Sequence, residues 1–243
     1  MDIGVMVLAA GKGSRLEPMS GALPKPLMPL GGRSLLEWNL VWVAASGVRR
    51  VWINVHHRGE AIEAALGSGV GLGVEIRYSR EPELLGTAGG WRAVAGEHRG
   101  SWLVLYGDNA MRFDLHRFLA AHRAGGAAAT IALFDPSRHA NTGAAGGRAA
   151  LAPDGRVSRF VEDAPSGDGL ELVNAGAYAL EPQVAEEIGP GFADFGRDVL
   201  PALAARGRVR GHVLEAGGFC LGVDTPERFA VAERLLSRAE VVP

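Results

Sequence analysis

The segment that most constrains the fold is the apolar run Ile3-Gly4-Val5-Met6-Val7-Leu8, followed at once by Ala9-Ala10-Gly11-Lys12-Gly13-Ser14-Arg15-Leu16. A short apolar run closed by a small-residue turn predicts a buried strand. Ala9, Ala10, Gly11 and Gly13 carry almost no side chain, so the backbone there can approach a ligand closely. Glycine also tolerates the positive φ at which successive N–H groups converge on an anion. Lys12, Arg15 and Lys25 place three cations around this concavity. Arginine grips phosphate with a planar fork, and lysine with a mobile point charge. The combination points to a nucleotide's phosphates. The alternative is a tight strand-to-helix turn carrying solvated basic residues. No window supplies a Walker A loop, and Leu16 stands where a dinucleotide fingerprint needs its third glycine.

The next 90 residues predict alternating helices and strands. Ser34 and Glu37 are spaced as a capping box, which starts a helix over 34–42 with Leu35, Trp38 and Trp42 facing the sheet. A strand over 51–55, a helix over 60–66 and a strand over 74–78 follow. Strand-helix alternation argues for an α/β fold, a parallel sheet with helices on both faces. Ligands in such sheets bind at the carboxyl ends of the strands, where the Gly11 loop sits. Trp102-Leu103-Val104-Leu105-Tyr106-Gly107-Asp108 is a further buried strand that delivers a carboxylate to the same edge. One such Asp, with substrate phosphates, can recruit Mg²⁺. Asp114 is expected to cap a helix over 115–124. His56 and His57 lack further ligands at metal spacing and are expected to be structural. Downstream come a strand over 128–134, a hairpin with Asp154-Gly155 in its turn, and a strand over 173–178.

Gly-x-Gly-x-Arg-Leu-x-Pro from Gly11 to Pro18, with Leu-Pro-Lys-Pro-Leu-x-Pro from Leu23 to Pro29, resembles the signature of the sugar-1-phosphate nucleotidylyltransferases (NDP-sugar pyrophosphorylases). The likeness is in the style of the short mannose-1-phosphate guanylyltransferase-like members. It extends over essentially the whole chain. It implies a Rossmann-like, mixed but mainly parallel sheet and one nucleotidyltransferase domain over 1–243. The nucleotide part would occupy about 1–125 and the sugar part about 126–243. The activity implied is Mg²⁺-dependent transfer of a nucleotidyl group from a nucleoside triphosphate to a sugar-1-phosphate, with release of pyrophosphate.

The resemblance also implies residue roles. Ala9, Ala10, Gly11 and Gly13 would wrap the triphosphate; Arg15 would hold the departing pyrophosphate, and Lys25 would neutralise the reacting phosphates. Asp108 would hold the metal. Gly86 and Thr87, within Leu-Gly-Thr-Ala-Gly, would close over the base, with a residue near Glu81 reading its edge. Guanine presents two adjacent donors, N1–H and the 2-amino group, which suit an acceptor-only carboxylate, whereas uracil and thymine suit a side-chain amide. Glu81 therefore favours GTP. Gly147 would let the sugar approach the backbone, and Glu162 and Asn174 would hold its hydroxyls. The segment over 195–203 would form a helix bordering the sugar.

Two departures stand out. The family follows the Glu162 position with Lys-Pro, where this chain has Asp163-Ala164-Pro165. The second metal Asp of the family is Gly222 here, while its glycine is Asp224. Residues two apart on a strand share a face about 6–7 Å apart. Asp224 is therefore either a displaced metal ligand or the cap of the helix that follows. These departures keep two alternatives open: transfer from another triphosphate or to a cyclitol or alcohol phosphate, and a catalytically weak homologue that binds nucleotide and regulates a partner.

The formal net charge of −2 gives no nucleic-acid surface, and no apolar run approaches a membrane span. The single cysteine, Cys220, excludes an intrachain disulfide. Without a basic leader before the first strand, the expectation is a cytoplasmic protein, with no appended acetyltransferase repeat; a homo-oligomer is compatible with the sequence.

Overall fold

The computed structural model describes residues 2–11, 13, 21, 23–142, 146–164 and 169–237. Strand β1 (Gly4–Leu8) is followed by a short hairpin of β2 (Pro29–Leu30) and β3 (Arg33–Ser34), then α1 (Leu35–Ala45), β4 (Arg50–Val55), α2 (Gly59–Leu66) and β5 (Glu75–Arg80). Next come α3 (Gly86–Arg92), β6 (Trp102–Tyr106), β7 (Asn109–Arg112) and α4 (Leu115–Gly125). The second half contributes β8 (Ala129–Phe134), β9 (Ala140–Asn141), β10 (Arg148–Leu151), β11 (Val157–Val161), β12 (Leu172–Leu180), α5 (Leu200–Ala205), β13 (Val209–Val213), β14 (Phe219–Gly222) and α6 (Pro226–Ser237).

A mixed sheet of nine strands runs through both halves in the order β11-β10-β12-β6-β1-β4-β5, with β8 and β13 branching from β12. Strands β6, β1, β4 and β5 are parallel, while β12 joins β6 and β8 antiparallel. Connections after β1 run outward through β4 to β5 and then return to β6 on β1's other side. That reversal opens a crevice between the carboxyl ends of β1 and β6, where open α/β sheets bind ligands.

Alternation along β1 sends Val5 and Val7 to one face and Met6 and Leu8 to the other. The first face packs under α1, α2 and α4, and the second under α3 and α5. Val5, Met6 and Val7 are fully buried, each a gain of about 1.5–3 kcal/mol relative to exposure. A third cluster lies between the small sheet β7-β14-β9 and α6.

The capping box forms as its spacing predicts: Ser34 Oγ accepts from Glu37 N at 3.2 Å, and Glu37 Oε2 accepts from Ser34 N at 2.7 Å. The predicted sheet face of α1 needs correction. Leu36, Leu40 and Val43 pack on the sheet beside Trp42, whereas Leu35 and Trp38 turn to the third cluster against Leu236 and Phe229. The helix is covered on two sides, so of its two tryptophans only Trp42 marks the sheet-facing stripe. Asp114 caps α4 through Arg117 N at 2.9 Å, as expected. No helix among the described residues is long and apolar enough to cross a membrane.

Candidate active site

The register pairs Leu8 with Tyr106, so the loops leaving β1 and β6 start side by side. Gly107 N donates to the Leu8 carbonyl at 2.9 Å and locks this start. On the other flank, Ala9 N donates to Asn54 Oδ1 at 2.7 Å. Asn54 Nδ2 donates to Glu81 Oε1 at 2.7 Å, and Leu85 N donates to Glu81 Oε2 at 3.0 Å. One buried relay thus ties the Ala9 loop to the segment before α3.

Glu81 is the clearest difference from expectation. It is 5% exposed, both oxygens are engaged within the protein, and it does not line the cavity. A carboxylate spent on Asn54 and Leu85 positions the loop; its oxygens are not turned to a base edge. Asn54 was not singled out by sequence, although an amide inside the apolar strand Val51-Trp52-Ile53-Asn54-Val55 is itself a signal. His56 is structural, its Nδ1 donating to the Glu81 carbonyl at 2.8 Å.

Lys25 sits on a single 3₁₀ turn, Lys25–Leu27, entered through Pro24. The turn presses against Gly13, where φ is 63° and a Cβ would come within 2.6 Å of Lys25 Cβ. Any larger residue would be strained and would push the lysine away. Lys25 Nζ donates to Asp108 Oδ2 at 2.8 Å and to Asp224 Oδ1 at 2.7 Å. Burial by itself lowers the lysine's pKa, but the two carboxylates outweigh it and the net shift is upward. Lys25 is therefore cationic at neutral pH.

Asp224 is placed by tertiary structure. A Cβ built on Gly222 would stand 3.7 Å from Asp224 Oδ2, so the Asp224 carboxylate reaches back over the strand position two residues earlier. The Asp224 carboxylate turns to Lys25. Thr225 starts α6, its Oγ1 accepting from Arg228 N and its carbonyl from Phe229 N.

Two cavities meet at this triad. The first, about 280 Å³, is lined by Ala9, Ala10, Gly11, Gly13, Lys25, Gly86 and Thr87, with Asn54, Phe192 and Asp194 added by the fold. Thr87 Oγ1 donates to Asp194 Oδ2 at 2.9 Å and accepts from Phe195 N at 2.8 Å. The second, about 260 Å³, is lined by Gly147, Glu162, Asn174, Asp224 and Arg228. Tyr106 and Asp108 line both. Sequence-predicted residues from both halves are therefore brought to one junction. Arg15 and Lys12 lie outside the described residues.

In the second cavity, Asn174 Nδ2 donates to Tyr178 Oη at 2.7 Å, and Asn174 Oδ1 accepts from Gly176 N at 2.9 Å. Glu162 Oε2 is buried with no hydrogen-bond partner among the described residues. A Cβ at Gly147 would lie 2.6 Å from that oxygen and press on the Phe160 ring, so a larger residue would displace both side chains. Burial, followed by Asp194 and Asp163, raises the Glu162 pKa to about 7. Tyr106, Asn54, Asp194 and Arg228 are site residues that sequence reasoning missed. Tyr106 precedes the Gly-Asp motif directly, so its place was signalled.

Asp108 and Asp224 converge on one point, now held by the lysine ammonium. No group of three or more metal-ligating side chains exists among the described residues. Two carboxylates completed by substrate phosphates are a donor set suited to Mg²⁺, so these residues fit that ion.

Comparison with known proteins places the chain in a family. Residues 4–219 match the nucleotidyl transferase family. A mannose-1-phosphate guanylyltransferase of Mycobacterium tuberculosis is 32% identical over 94% of this chain and 63% of its own length. A UTP–glucose-1-phosphate uridylyltransferase of Synechocystis is 31% identical over 83% of this chain and 55% of its own. The chain thus spans about three fifths of the length of these relatives. A solved structure from Bacillus anthracis, designated a glucose-1-phosphate thymidylyltransferase, shares the fold with a TM-score of 0.82 at 20% identity, covering 97% of this chain and 96% of that one. The family match, with the β1 loop, Lys25 and Asp108 meeting at one sheet edge, assigns the chain to the nucleotidyl transferase family.

Proposed function

We propose that this protein transfers a nucleotidyl group from GTP to a sugar-1-phosphate, forming an NDP-sugar and releasing pyrophosphate. The observation that carries the reading is Lys25 held between Asp108 and Asp224 where the two cavities join. The triphosphate lies along the Ala9–Gly13 loop in the first cavity, and the sugar occupies the second against Glu162 and Asn174. A phosphate oxygen of the sugar phosphate attacks the α-phosphorus, and the bond to the pyrophosphate oxygen breaks. No covalent enzyme intermediate is required, because positioning and charge neutralisation carry phosphoryl chemistry. Lys25 offsets charge at the α-phosphate. Arg15 holds the leaving pyrophosphate in this proposal. Asp108 and Asp224 would hold Mg²⁺, which supplies further neutralisation of the phosphates when bound. A cytoplasmic setting, where triphosphates are made and Cys220 stays reduced, goes with this chemistry.

GTP is favoured by likeness to the Mycobacterium guanylyltransferase. UTP is the second reading, supported by the uridylyltransferase relative and by the engagement of Glu81 away from the cavity. Pyrophosphate release, measured with Mg²⁺ for each triphosphate against a pool of sugar-1-phosphates, tests the proposal. Release with GTP supports it in full. Release with UTP or dTTP keeps the chemistry and overturns the base. Nucleotide binding without release from any pair overturns the activity and favours a regulatory role.

A further inference from the structure

Among the described residues, the lining of the second cavity is poorly charged for a phosphate dianion. Asp108, Glu162, Asp163 and Asp224 all line it, and Arg228 is the one lysine or arginine among the described lining residues. Arg228 stands in the first turn of α6, with its side chain 25% exposed. Its Nη1 lies 3.6 Å from Asp224 Oδ2, beyond hydrogen-bond reach, so this contact leaves the guanidinium's donors unspent. Lys25, the cation at the junction, already donates to two carboxylates. Arg197, near Glu162, is exposed and paired with Asp163 at 3.0 Å. A planar five-donor fork on a phosphate gives both charge and orientation.

We propose that Arg228 binds the phosphate of the acceptor sugar-1-phosphate, aimed across the cavity by Asp224. This rests on the nucleotidyl-transfer reading above and supplies the cation that the Glu162-Asp163-Ala164 segment lacks. The guanidinium offsets repulsion between the incoming phosphate and the carboxylates of Asp108, Asp163 and Asp224. It orients one phosphate oxygen toward the junction at Asp108.

The test is steady-state kinetics of the full chain with the sugar-1-phosphate that the wild type uses best, varying acceptor and triphosphate separately. Arg228→Gln raises the acceptor KM about tenfold to a hundredfold, the usual cost of a charge-assisted hydrogen bond, and leaves the triphosphate KM within about twofold. Arg228→Lys keeps the charge without the fork and falls between, and Arg197→Gln changes neither constant. An unchanged acceptor KM in Arg228→Gln, or equal rises for both substrates, overturns the assignment. Should the Gln variant not fold, the Lys variant decides by the same split: a selective rise in acceptor KM supports the role, and no rise overturns it. Absence of wild-type turnover with every sugar-1-phosphate instead overturns the function on which the assignment rests.

Discussion

Replacing Lys25 by Met keeps most of its buried stem and removes the charge between Asp108 and Asp224. The lysine is 6% exposed and makes two charge-assisted hydrogen bonds, each worth about 1.5–3 kcal/mol where its partners are buried. The carboxylates are 41% and 29% exposed, so they regain water when the lysine leaves, and the loss shrinks accordingly. The expected cost is about 1–2 kcal/mol, a drop in Tm of roughly 2–8 °C for a chain of this size. Two carboxylates left facing each other become a better divalent site. Millimolar Mg²⁺ therefore raises the Tm of the variant more than that of the wild type, in thermal denaturation followed by circular dichroism. Turnover falls by about a hundredfold or more, while triphosphate affinity changes by less than about tenfold, because the charge is needed most as bonds change. The folded-state pKa of Lys25 lies above its ordinary 10.5, so its stabilisation is fully present below that value and fades only as pH rises past it. An unchanged Tm, or Mg²⁺ stabilising both proteins equally, would refute the carboxylate bridge; near-normal turnover would refute the catalytic role.

Glu81→Gln tests scaffold against base reading: the variant loses about 1 kcal/mol and raises the KM for GTP and UTP alike, whereas a selective loss with GTP would restore Glu81 as a guanine reader. Glu162 titrates at about 7 rather than its ordinary 4.5. Between those values the folded protein holds a proton that the unfolded chain has released, so stability falls as pH rises by on the order of 1–3 kcal/mol. Glu162→Gln flattens that slope in denaturant titrations across the window, and an unaltered slope would show that Glu162 is not its source.

Features encoded within a few residues of each other were legible. The capping box of Ser34 and Glu37, the Asp114 cap and the hairpin around Asp154-Gly155 form as their spacing predicts, because each depends on bonds between chain neighbours. The starts of the turns after Leu8 and Tyr106 were legible as turns at the carboxyl edge of the sheet for the same reason. Glu81 was misread because its partners, Asn54 and Leu85, lie on separate elements, and only packing shows that its oxygens are consumed. Leu35 and Trp38 were given to the sheet because α6, which covers them, begins nearly 200 residues later.

By itself the sequence determined the first buried strand and the small-residue turn after it, the alternation that makes an α/β sheet, and the carboxylate at its edge. Local sterics and hydrophobic periodicity suffice for those. Only tertiary structure decided that Lys25 meets Asp108, 83 residues away, and Asp224, 199 residues away. It also decided that Asp224 reaches the space above Gly222 and that Arg228 stands as the described cation in an acidic cavity. Such contacts are selected by how sheet, loop and terminal helix close on one another, and spacing along the chain carries no record of that closure.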